Sequence, residues 1–202
     1  ITGFATTVTM IRIAETLLED RAPRLIAIGG YSGTGKSTLA GEIAPVIGTS
    51  PGAVVLSSDL IRKRLYAAEP DHRLGTEFYR PEISDRVYDE MLESADRLVS
   101  EGSSVIVDAT FMKAESRSAV EKLAASHRVD FNGYWLTGDS GKLARRVADR
   151  PQGASDATTD VLLQQLAGDP GEITWQCMDT TDTSSDAGDL VRDSLHLAKV
   201  SP

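Results

Sequence analysis

The chain is short of the residues that staple or anchor a protein. A single cysteine, Cys177, excludes an internal disulfide framework and fits a reducing compartment, the cytoplasm. No apolar run approaches the roughly 18 residues that a membrane span needs, so a membrane partner is excluded. Positive charge is also scarce: 21 Lys and Arg face 30 Asp and Glu, a formal net charge of -9. A broad nucleic-acid footprint requires clustered cations, so nucleic acid is excluded as a partner save for a single 5'-OH end. A small anionic ligand needs only local positive charge. The amino end, "ITGFATTVTMIRIAETLLED", has neither the basic start nor the continuous apolar core of a signal peptide. Of three histidines, His72 falls in a loop, and His127 and His196 follow helical segments without an evident partner.

What is present is enough for a full core: 41% of 202 residues are apolar, which suits one domain with at most a small appendage. Residues 1–22 read as a helical extension, with Ile13, Leu17 and Leu18 at helical spacing; it is either a foreign leader or the tail of an upstream domain. Residues 23–202 read as the domain proper. Compact apolar runs at "RLIAIGG", "AVVLSSD", "SSVIVDAT", "VDFNGYWLTG" and "ITWQCMD" predict five strands. Helical segments separate them. The clearest runs through "PEISDRVYDEMLESADRLVSEG", where Ile83, Val87, Met91, Ala95 and Leu98 keep one face. Strands alternating with helices predict an α/β three-layer sandwich, a five-stranded parallel sheet with helices on both faces. Ligands in such sheets bind at the carboxyl ends of the strands. Trp135, Trp175 and Cys177 lie in or near predicted strands and are expected in the core.

Between the first strand and its helix stands "GGYSGTGKST". Gly30, four residues, then Gly35, Lys36 and Ser37 form the phosphate-loop pattern, whose backbone N–H groups wrap a nucleotide's phosphates. Glycines let the chain bend around an anion with no side chain intruding, and the following helix aims its positive end at the same point. Gly30, Ser32, Gly33, Thr34, Gly35, Lys36, Ser37 and Thr38 are therefore the candidate ATP contacts. Lys36 would reach the β and γ phosphates, and the Ser37 hydroxyl would ligate Mg²⁺. A dinucleotide fingerprint is disfavoured, because Gly33 and Gly35 would require glycine where Thr38 stands.

Magnesium on phosphates needs a carboxylate to hold its water shell, and Asp108 at the end of the third strand is the candidate, acting through water. Asp59 closes the second strand, either as a cap on the next helix or as a cleft carboxylate. No Asn-Lys-x-Asp guanine reader occurs, which disfavours a GTPase. Instead "ARRVADRPQGASDAT" predicts a lid around 145–157, where Arg145, Arg146 and Arg150 would meet a phosphoryl group in transfer. Adjacent Arg145 and Arg146 must diverge, whereas Arg146 and Arg150 share a helix face. Arg62 and Arg64, close behind Asp59, would bind an anionic acceptor or sit as solvated surface charge.

Taken together, "GGYSGTGKSTLA", "SSDLIRKRL", "VIVDATF" and "RRVADRPQGASDAT" resemble the small bacterial P-loop kinases, relatives of zeta toxins, chloramphenicol phosphotransferases, gluconate kinases and polynucleotide 5'-kinases. Members often stand behind an aminoglycoside-phosphotransferase-like domain. The resemblance covers about residues 24–180. It implies an ATP- and Mg²⁺-dependent phosphotransferase acting on a hydroxyl, working as a monomer or weak homodimer on an unidentified small-molecule or nucleotide acceptor. It also implies that Asp59 is the general base, Asp108 the strand-end aspartate of the metal site, and Arg146 and Arg150 catalytic lid residues. Pro151 departs from the group's usual lid, which weakens the match at Arg150. The alternative is a nucleotide-binding regulatory ATPase module serving a fused or partner domain.

Overall fold

The computed structural model describes residues 22–149, 157–182 and 185–195. The amino-terminal helix expected from the sequence lies outside them. The elements run β1 (Arg24–Gly30), α1 (Lys36–Ile43), β2 (Val54–Ser57), α2 (Ser58–Leu65), α3 (Pro81–Ser100), β3 (Val105–Asp108), α4 (Ala114–His127), β4 (Asp130–Thr137), α5 (Ser140–Ala148), α6 (Thr159–Ala167), β5 (Gln176–Asp179) and α7 (Ser185–Ser194). The strands form one parallel sheet in the order β2-β3-β1-β4-β5. Ile28 of β1 lies beside Asp108 of β3 on one side and Tyr134 of β4 on the other. That is the parallel α/β sandwich expected from the alternation of runs.

Period-two alternation sorts β1 between two cores. Leu25 and Ala27 face Val87, Met91, Ala95 and Val99 of α3 and Val120 and Ala124 of α4. Ile26 and Ile28 face Leu39, Ala40 and Ile43 of α1 and Ala187 and Val191 of α7. The buried stripe of α3 steps by four through Val99, with Leu98 only half-buried beside it. A third, smaller cluster joins Leu143 and Val147 of α5 to Leu162 of α6, next to Tyr31. Asp139 caps α5, its Oδ1 accepting from Lys142 N at 2.9 Å.

Three local expectations need correction. The second strand stops at Ser57, so Asp59 stands in the first turn of α2 instead of at a strand end. The fifth strand starts at Gln176; Trp175 precedes it and tucks its ring into the α3–α4 core. Cys177 is exposed. As β5 is an edge strand, its alternation buries Met178 under α7 and leaves the next-door side chain uncovered. Trp135 and Trp175 are core residues, as expected, and His127 finds a partner in Asp96 at 2.7 Å.

Gly30 is where the sheet requires glycine. Its φ is +127°, and a Cβ there would lie 2.1 Å from the backbone oxygen of Leu136. Gly30→Ala should therefore lower stability by about 3 kcal/mol, combining backbone strain with overlap that a main-chain neighbour cannot relieve. Urea titration followed by circular dichroism measures it; a loss below about 0.5 kcal/mol would contradict this reading.

Candidate active site

The site lies at the carboxyl ends of β1, β2 and β3. There β1 has its sequence successor β2 two places away and β3 between them, and the crevice of a doubly wound sheet opens at such a switch. Gly30 N donates to Thr110 O at 3.1 Å, closing the floor between the exits of β1 and β3. From that floor the loop turns through Gly33 and Gly35, both at positive φ, into α1. Gly33 is pressed by the third cluster: a Cβ there would stand 3.0 Å from Leu143 O and from Val147 Cγ2. Tyr31 O gathers the loop. It accepts from Thr34 Oγ1 and from Lys36 Nζ, each at 2.8 Å. Gly35 occupies the N-cap of α1 and no side chain caps this end, so the first-turn N–H groups and the helix dipole are turned to an anion.

Ser37 Oγ donates to Asp108 Oδ2 at 2.6 Å. Asp108 is 3% exposed, and β1 and β2 flank it in register. A hydroxyl and a buried carboxylate thus meet at the mouth of the loop, a hard-oxygen pair of the kind that holds a hydrated Mg²⁺ on phosphates. The residues present fit that ion.

The loop opens onto a cleft of about 770 Å³ whose other walls carry Asp59, Arg62, Tyr79, Asp85, Tyr88 and Lys113, with Gln164 and Gln165 of α6 above. Asp59 and Arg62, three apart in α2, share one face. Arg62 is 5% exposed, lies 4.5 Å over the Tyr79 ring and donates to Phe78 O at 2.7 Å, while its Nε is buried with no hydrogen-bond partner. Lys63, next along, is also buried and donates to Pro70 O at 2.7 Å. These two cations fasten the segment between α2 and α3. Lys113 and Asp85 bridge the rim at 2.5 Å.

Tyr88 forms part of the back wall. Its hydroxyl accepts from Phe111 N at 2.8 Å and lies 3.5 Å from Thr110 Oγ1. Phe111 has φ +51°, a left-handed conformation rare for a bulky residue, and is fully buried with its ring edge-on to Tyr88 and Trp175. Burial pushes the Tyr88 phenol above its ordinary value; hydrogen bonds to Thr110 and Phe111 and the nearby Arg62 charge oppose that rise. Below the same turn Arg117, 3% exposed, donates to Phe111 O, Pro170 O and Glu172 O at 2.6–3.0 Å. It ties the exit of β3 to the segment leading into β5.

Ser32, Gly33, Gly35, Lys36, Ser37, Thr38, Asp59, Arg62 and Asp108 all line this cleft, although they come from three separate stretches of chain. Gly30 and Thr34 do not; the first sets the bend and the second staples the loop. Arg64 is exposed and pairs with Glu90 at 2.7 Å. Arg145 is exposed on α5 and away from the cleft. Arg146, expected at the phosphates, donates to Thr180 O and Thr181 O at 2.8 and 3.0 Å, because its stretch of α5 runs along the end of β5. Arg150 lies outside the described residues. Sequence reasoning missed Tyr88, Tyr79, Arg117 and Gln165. Tyr88 carried a faint signal, a polar-tipped aromatic beside the core stripe of α3; the others depend on partners remote in the chain.

Fold and cleft define a P-loop nucleotide-binding protein of the kinase-like type. The chain belongs to the AAA domain family AAA_33, whose model matches residues 25–168. Uncharacterized proteins of Mycobacterium tuberculosis and Mycobacterium bovis are 34% identical over 154 residues, which is 74% of this chain. The chain spans about 30% of the length of those relatives. Among solved structures it is similar to a sugar kinase of Janibacter sp., with TM-score 0.64 and 18% identity over 87% of this chain and 96% of that one. It is also similar to the APS kinase of Mycobacterium tuberculosis in complex with AMPPNP and APS, with TM-score 0.62 and 19% identity over 87% and 99%. At these identities the likeness is one of fold. No helix among the described residues is long and apolar enough to cross a membrane.

Tyr88→Phe should cost about 1–2 kcal/mol at neutral pH, since it leaves the Phe111 N–H buried without an acceptor. Because the folded-state pKa is raised, the wild-type phenol contributes stability below its ordinary value of 10.0 that is lost as pH climbs past it. Tyr134, raised by its own burial, shares that alkaline loss. Urea midpoints from pH 8 to 11 should fall less steeply for Tyr88→Phe than for wild type; parallel slopes would refute the assignment.

Proposed function

We propose that this chain is an ATP-dependent phosphotransferase that moves the γ-phosphate to a hydroxyl of a small-molecule acceptor. The observation that carries the reading is the joint cleft: Asp59 and the buried Arg62 line the same space as the phosphate loop. A second polar wall facing the phosphate loop gives an acceptor hydroxyl a carboxylate and a cation to bind against.

In this reading the loop amides, Lys36 and the amino end of α1 hold the phosphates, and Ser37 and Asp108 hold Mg²⁺. The ion would supply charge neutralisation on the transferring group. Asp59 accepts the proton of the acceptor hydroxyl as its oxygen attacks the γ-phosphorus; the bond to the β–γ bridging oxygen breaks and ADP leaves. Arg62, which lines the cleft, binds an anionic group of the acceptor, while Arg64 is left to its surface pair. Neither Arg145 nor Arg146 has a part in this scheme; each lies away from the cleft.

Incubation with γ-labelled ATP and pools of sugars, aminoglycosides, nucleosides and 5'-OH oligonucleotides should yield a labelled acceptor. ATP turnover that no pool stimulates would favour the regulatory ATPase module instead. Lys36→Ala should reduce transfer by about 100- to 1,000-fold while circular dichroism shows that the chain still folds. Asp59→Asn should abolish transfer yet leave Mg²⁺-ATP affinity intact by calorimetry; undiminished turnover would return Asp59 to the role of a first-turn helix charge.

A further inference from the structure

That scheme leaves unused a side chain that reaches the phosphate loop from across the cleft. Gln165 of α6 accepts a hydrogen bond from Ser32 N at 2.8 Å, a contact spanning 133 residues. The helix is seated there firmly. Leu162 packs with Leu143 and Val147, and Tyr31 of the loop lies against the same cluster. Behind the helix, Arg117 holds Pro170 O and Glu172 O. Ser32 is 6% exposed, and both it and Gln165 line the cleft.

The chemistry of this contact has a direction. Ser32 N is a donor, so the amide oxygen must face it and the amide N–H₂ becomes the donor end turned away. Lys36 Nζ donates to Tyr31 O, which puts the ammonium beside the Tyr31–Ser32 peptide. The lysine of a phosphate loop serves the β and γ phosphates, so Ser32 and Gln165 stand at the terminal-phosphate end of the site. Two donors fixed there by a buried amide suit an anionic oxygen.

We infer that Gln165 reads the terminal phosphate: its oxygen stays on Ser32 N while its N–H₂ binds the γ-phosphate, so a triphosphate gains a contact that a diphosphate lacks. This rests on the nucleotide reading given under Proposed function. Gln165 is thereby the specificity residue that favours loading with ATP and release of ADP.

Isothermal titration calorimetry with a non-hydrolysable ATP analogue and with ADP, each with Mg²⁺, tests it on the full chain. Gln165→Glu keeps an acceptor for Ser32 N but replaces the donor end with an anionic oxygen. It should weaken the triphosphate analogue by about tenfold or more while ADP changes by less than about threefold. Gln165→Ala, which removes both ends, should lower the same ratio in the same direction and decides the matter if the glutamate variant misfolds. Triphosphate and diphosphate affinities that stay unchanged, or fall by one common factor, overturn the inference while leaving nucleotide binding intact. A wild type that binds neither nucleotide overturns the phosphotransferase reading and this inference with it.

Discussion

The 2.6 Å contact between Ser37 Oγ and Asp108 Oδ2 is the point on which the site depends. It exists because β1 and β3 are neighbours in register, so that the start of α1 and the end of β3 come out of the sheet side by side. Every other feature is arranged around that junction. The loop must turn tightly enough to bring Ser37 back over the sheet, which demands positive φ at Gly33 and Gly35. The exit of β3 must be held still, which falls to Gly30 N on Thr110 O, Tyr88 on Phe111 N, and Arg117 on Phe111 O. A carboxylate buried to 3% exposure keeps a defined direction only when its backbone does.

A second pattern runs through the carboxyl end of the sheet. In a chain with a net charge of -9, the buried and half-buried cations here donate to loop carbonyls: Lys36 to Tyr31, Arg62 to Phe78, Lys63 to Pro70, Arg117 to Pro170 and Glu172, and Arg146 to Thr180 and Thr181. Irregular backbone near a cleft carries carbonyls that no strand or helix partner satisfies. A guanidinium can serve two or three of them at once from a fixed plane. Among the described residues, Arg62, Arg117 and Arg146 fix loops, and of these only Arg62 combines that with a place in the cleft. The arginine-rich stretch on α5 looked catalytic because charge neutralisation demands cations; geometry assigned Arg146 to the end of β5.

Much of the architecture was legible because its causes are local. Five apolar runs with intervening helical periodicity dictate a parallel sheet, and "GGYSGTGKST" carries its own chemistry in ten consecutive residues. The place of Asp108 was legible as well, since it closes the apolar run of the third strand. The stretch after the second strand was misjudged by two residues, and Cys177 by its face, because strand ends and edge strands are decided by what packs against them. Arg117 and Gln165 were invisible, and Tyr88 nearly so, for a related reason: each acts on a partner between 6 and 133 residues away, and no spacing rule links such pairs.

By itself the sequence determined the sandwich, the phosphate loop and the carboxylate that ends β3, because periodicity and glycine placement are properties of contiguous chain. Tertiary structure alone decided which cations serve the cleft and which pin loops, and it brought Gln165 to Ser32. The physical reason is reach. A side chain's role depends on what lies within about 3 Å of its tip, and for these residues that is set by the packing of helices against the sheet.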